Sequence, residues 1–203
     1  LAHWKEADAA YQRVIELNRD EELSLRALNN RGSINFELKD YVSAEPFFRQ
    51  AVAIKPMYAD ANINLGSILL WKSRRTANAD SVLDYLSQAI SFYEKGLSVV
   101  PNHYQGLTNL GVAYQELGQY DKALSSYHRA RVLNPRDYMV LRNLGSIHLV
   151  LAGRALSGDK PARDLLLKAR SYFKSSLYYN AAEEGARDGL VKVEAHLKEL
   201  EAR

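Results

Sequence analysis

Cysteine is missing altogether from the 203 residues, and methionine, tryptophan and proline are scarce, at two, two and five. Without cysteine there can be no disulfide, no thiolate zinc site and no cysteine nucleophile, while reducing and oxidising compartments both remain open. No apolar run approaches the ~20 residues of a transmembrane helix. The start, Leu1-Ala2-His3-Trp4, has neither the basic stretch nor the apolar core of a signal peptide. An excess of one charge is missing too. Twenty-seven Lys and Arg stand against 24 Asp and Glu, and the signs are interspersed, so the pI near 9.0 reports no basic face and nucleic acid is not an expected partner. The chain also lacks an initiating methionine. It is expected to be a soluble segment cut from a longer protein, cytoplasmic or periplasmic, that does not itself insert into a membrane.

Reaction centres are equally hard to find. The five histidines, His3, His103, His128, His148 and His196, include no i, i+4 pair and no His-Glu-x-x-His, so no metal site is expected. Ser157-Gly158-Asp159-Lys160 has a Gly-x-Lys but no following Ser or Thr and no preceding strand, which excludes a phosphate loop. There is no Gly-x-Ser-x-Gly elbow. Neither an enzyme nor a cofactor is expected.

What is present is a globular composition, 47% apolar and 25% charged, with a strong internal repeat. Glycine, alanine twelve residues later and an aromatic four beyond it occur as Gly32, Ala44, Phe48 and as Gly111, Ala123, Tyr127, closed by Pro56 and Pro135. Two further copies read Gly66, Ala89, Tyr93, Pro101 and Gly145, Ala169, Phe173, with Ala181 in place of the proline. Leu107, Leu110, Tyr114 and Leu117 form a helical stripe, and Ala123, Leu124, Tyr127, Ala130 and Leu133 form a second. Gly118 breaks the first and Pro135 ends the second. Gly111 and Ala123 are expected to allow close approach of the two helices, with Tyr127 filling space toward the next unit. No pair can bury its outer face alone, so the units must stack.

The 34-residue spacing of Pro101 and Pro135, with Leu-Gly, a later Tyr, then Ala, an aromatic, Ala and Pro, resembles the tetratricopeptide repeat family. The resemblance implies an all-α fold, a right-handed superhelical solenoid of antiparallel helix pairs with each A helix on the inner surface and each B helix outside. The expected organisation is a single solenoid over 1–203: an N-terminal B-type helix in 1–20, repeats at 25–58, 59–103, 104–137 and 138–181, and a capping helix in 182–203.

Two repeats depart from the regular length. The glycine-to-alanine interval is 23 residues in the second and 24 in the fourth, against 12 elsewhere, which predicts elongated hairpins with insertions of about 11 and 12 residues. Asp80 and Asp159 are expected to cap the helices after the insertions, with Pro161 in a first turn. The arms can be plain connectors, or they can clamp a partner or a second copy through Arg74, Arg75 and Arg154.

In the family register the inward positions surround an asparagine two residues before each glycine: Asn30, Asn64, Asn109 and Asn143. An asparagine amide offers both an acceptor and a donor, so such a row can hold the backbone of an extended peptide without reading its side chains, or can hydrogen-bond a neighbouring repeat. It resembles the asparagine ladder in the peptide-binding repeats of O-linked N-acetylglucosamine transferase. Beside it fall Arg26, Ser33, Phe36 and Glu37, then Ile63, Ser67 and Trp71, then Gln105, and finally Arg142. Trp71 has two readings, an anchor for a partner or packing within its hairpin. The carboxylate clamp of chaperone-binding relatives is disfavoured, because its places hold Asn29, Ser33, Gln105 and Asn109.

The expected function is a non-enzymatic protein-interaction module that holds a peptide or protein segment in its concave groove. The alternatives are a self-associating assembly scaffold, or the substrate-recruiting repeat region of a larger membrane protein or glycosyltransferase.

Overall fold

A computed structural model describes residues 2–17, 20–155 and 160–202. Among the described residues there are ten α-helices and no strand. A first helix, α1 (Ala2–Leu17), precedes four hairpins: α2 (Glu21–Glu37) with α3 (Tyr41–Ile54), α4 (Ala59–Ser73) with α5 (Ala79–Val99), α6 (Tyr104–Glu116) with α7 (Tyr120–Leu133), and α8 (Tyr138–Arg154) with α9 (Lys160–Tyr179). The last helix is α10 (Glu184–Glu201). The chain forms two compact units, 1–113 and 114–203, with the division inside α6.

Short polar side chains cap the starts of α2, α3, α5 and α8, where unsatisfied N–H groups need acceptors. The Asp20 carboxylate accepts from Glu22 N and Leu23 N at 2.9 and 3.1 Å, and Asp137 accepts from Met139 N and Val140 N at 2.7 and 3.0 Å. Ahead of α5 the cap is Asn78, accepting from Ser81 N at 2.9 Å, and Asp80 falls within the first turn. This corrects the expectation for Asp80; Asp159 lies outside the described residues. Lys39 and Gly118 turn the chain out of α2 and α6 with φ of 61° and 71°. Glycine reaches this left-handed region without steric cost, whereas lysine does not.

Both insertions lengthen the hairpins, and most of the added chain is B helix. α4 is two residues longer than α6, with 15 against 13, while α5 is seven longer than α7, with 21 against 14. In the fourth repeat α8 gains four residues and α9 gains six, with 17 and 20.

The repeat glycines serve the aromatics of their own hairpins. A Cβ at Gly32, Gly66 or Gly145 would lie 2.7 to 2.8 Å from the ring of Phe48, Tyr93 or Phe173, too close for a carbon contact. So the small residue of the A helix accommodates the large residue of the B helix, a more specific role than close approach to the alanine. In the first unit Phe48 packs with Leu25, Leu28, Leu65 and Ile68; in the second Phe173 packs with Leu166, Ala169, Val193 and Leu197.

The second unit also holds one buried imidazole, His148, and a half-buried one, His128. His148 is 7% exposed, with Nδ1 2.8 Å from the Leu144 carbonyl, and it fills the interhelical position that the repeat gives to Tyr114. Burial pushes it below the ordinary 6.5 against the opposing pull of that carbonyl, and Lys168 adds repulsion. Burial likewise lowers His128, helped by Arg131, His148 and Lys168. Such a base binds fewer protons folded than unfolded, so its stabilisation is complete above about pH 6.5 and is lost as pH falls through the lowered folded value. The urea midpoint of the second unit should therefore drop between about pH 7.5 and 5.5, and His148→Gln should reduce the drop.

Candidate functional site

In the first unit the inward positions of three successive A helices meet around a concavity of about 370 Å³. Helix α2 contributes Ser33, Phe36 and Glu37, and α4 contributes Ile63, Asn64 and Ser67. Gln105 and Asn109 enter from α6, with His103 just before it. These residues come together because each A helix turns the same register toward the hollow.

The hydroxyl of Ser67 ties the site into the framework. It donates to the Ile63 carbonyl at 3.1 Å and accepts at 3.1 Å from both the Tyr93 hydroxyl and Asn109 Nδ2. One donor of Asn109 is thus spent on the framework, while its carbonyl oxygen stays unengaged among the described residues. Asn143 in the second unit is engaged more fully. Its Nδ2 donates to the Tyr127 hydroxyl at 3.1 Å, and its Oδ1 accepts from Arg142 Nε and Nη2 at 3.2 and 3.0 Å.

Asn64 differs for a reason written in the preceding repeat. Tyr93 and Tyr127 carry the hydroxyls that anchor Asn109, through Ser67, and Asn143; the aromatic before Asn64 is Phe48, which has none. The half-buried Asn64 amide makes no hydrogen bond among the described residues, so both its acceptor and its donor are available at the hollow.

His103 escaped the sequence reading as a site residue. Its Nδ1 accepts from Gly106 N at 3.0 Å, capping α6. With Nδ1 accepting, Nε2 is the ring's N–H. The signal was a histidine three residues ahead of a glycine in a first helical turn.

The other expected contact residues sit elsewhere. Asn30 on α2 is half-buried and does not line the hollow. Arg26 pairs with Glu22 at 3.3 Å on the exposed side of the same helix. Arg142 is held by Glu183 at 2.9 Å as well as by Asn143. Trp71 lies between two neighbours, the Tyr41 ring at 4.9 Å and the Arg75 guanidinium at 4.7 Å, and Tyr41 continues to Phe36 at 5.0 Å. Arg154 covers the Tyr120 ring at 4.6 Å, and the exposed Arg74 has a partner within the chain. Among the described residues no group of three or more His, Asp or Glu is placed to hold a metal ion, and no helix is long and apolar enough to cross a membrane.

The family model for the tetratricopeptide repeat matches residues 104–137, and a second tetratricopeptide repeat model matches 1–59. Protein CTR9 homolog of Arabidopsis thaliana is 37% identical over 87 residues, 42% of this chain and 8% of that protein. Photosystem I assembly protein Ycf3 of Prochlorococcus marinus strain SARG is 37% identical over 76 residues, 36% of this chain and 43% of that one. The chain thus spans less than half the length of either curated relative. A thermophilic tetratricopeptide repeat protein of Thermus thermophilus superimposes with a TM-score of 0.61 at 20% identity, covering 97% of this chain and 91% of that one, a likeness of fold.

Proposed function

We propose that this chain, which belongs to the tetratricopeptide repeat family, holds an extended segment of another protein in the hollow between α2, α4 and α6. The observation that carries this reading is the Asn64 amide, with donor and acceptor both unused at a concave polar site. Burying such a group against nothing wastes hydrogen-bonding capacity that a peptide backbone would use. Repeats of this family are in general non-enzymatic interaction modules, and the likeness to a photosystem I assembly protein supports a protein-interaction or assembly role.

A random short-peptide phage library selected on the whole chain tests the proposal. Peptides enriched on the wild type should bind an Asn64→Ala, Asn109→Ala double variant about tenfold or more weakly, at roughly 1 kcal/mol for each lost hydrogen bond, with helicity unchanged. Undiminished binding would assign these two residues to structure alone.

A further inference from the structure

The charges around the hollow say which segment it takes. Among its lining residues Glu37 is the sole carboxylate, and no Lys or Arg lines it. The Glu37 carboxylate is exposed and forms no ion pair among the described residues, unlike Glu22, Glu45 and Glu183, which are paired with Arg26, Arg49 and Arg142. Beside it the half-buried Phe36 presents an aromatic surface. The first unit as a whole carries 12 Lys and Arg against 13 Asp and Glu, a net of −1, whereas the second carries 15 against 11, a net of +4.

We infer that the hollow selects an extended segment bearing a lysine or arginine, with its cation at Glu37, its aliphatic stem over Phe36, and its backbone on Asn64 and Asn109. Lys and Arg suit this combination because they lay an apolar stem along apolar surface while the charged head stays at a polar rim. An acidic segment is repelled at the same place, so the single carboxylate discriminates as well as attracts. The inference rests on the peptide-holding reading above and adds the side chain that is read.

The experiment sequences the peptides enriched from the same random library on the full chain and on its Glu37→Gln and Glu37→Lys variants. One enriched peptide is then resynthesised with norleucine in place of its basic residue. On the wild type, Lys or Arg should dominate one position, and the norleucine peptide should bind about tenfold more weakly, the loss of one charge-assisted contact. With Glu37→Gln that difference should vanish, and with Glu37→Lys the position should turn to Asp or Glu. Enrichment without a basic preference, or a basic preference that survives Glu37→Gln, overturns the inference and leaves the groove reading standing. Failure of every variant and the wild type to enrich any peptide overturns both.

Discussion

Replacing Phe173 with alanine is expected to cost about 3–5 kcal/mol, the range for emptying a packed aromatic site. Phe173 is fully buried, and its ring is received by glycines on both neighbouring helices: a Cβ at Gly145 would meet it at 2.8 Å, and one at Gly189 would collide with it. Rigid helix backbone on two sides cannot collapse into the space the ring leaves, which puts the loss toward the upper part of the range. Urea denaturation of the variant should show the second unit melting well before the first. A loss under about 1 kcal/mol would mean that the ring is not the keystone of the α8, α9 and α10 packing.

Arg31→Ala should have the next largest effect, confined to the other end of the chain. The Arg31 guanidinium grips Asp8 with Nε at 2.7 Å and Nη2 at 3.1 Å, donates to Gln12, and lies 4.4 Å from the centre of the Phe47 ring. Its side chain is 15% exposed, so the variant leaves Asp8 and Gln12 of α1 without their partner from α2 in a half-buried setting. A two-pronged charged bond of this kind contributes about 2–3 kcal/mol. Hydrogen exchange should accelerate across α1 while α4 and α5 keep their protection. Arg31→Lys should not restore it, because an ammonium cannot reproduce the fork. Uniform acceleration over the whole first unit would contradict a local clamp.

These two residues also mark what could and could not be read from the sequence. The Phe173 site was legible, because glycine, alanine and aromatic recur at fixed spacing and each is a packing requirement of one hairpin. Helix limits followed from the same periodicity, with Gly118 and Pro135 closing α6 and α7 as expected. The Arg31 clamp was not legible: it joins residues 23 apart in sequence, and nothing local distinguishes Arg31 from other charged residues of a helix surface. The insertions were visible as lengths, but their placement mainly in the B helices depends on where the chain finds a cap, and Asn78 supplied one ahead of Asp80. For the site, the family register identified most of the residues that line the hollow. It could not tell which asparagines the framework consumes, since that depends on hydroxyls contributed by neighbouring elements. The alternation of Phe48 with Tyr93 and Tyr127 held that information, and it becomes readable once the structure shows where those hydroxyls end.

The most direct test of the central claim is site-specific photo-crosslinking in cells of the source organism. One probe replaces Ser33, inside the hollow, and a control replaces Val42, which is 69% exposed on α3 and outside it. The account predicts that Ser33 captures one defined segment of another protein, recovered as a single crosslinked peptide carrying Lys or Arg, and that Asn64→Ala with Asn109→Ala abolishes the adduct. Adducts formed only at Val42, or at Ser33 irrespective of the two asparagines, would contradict it.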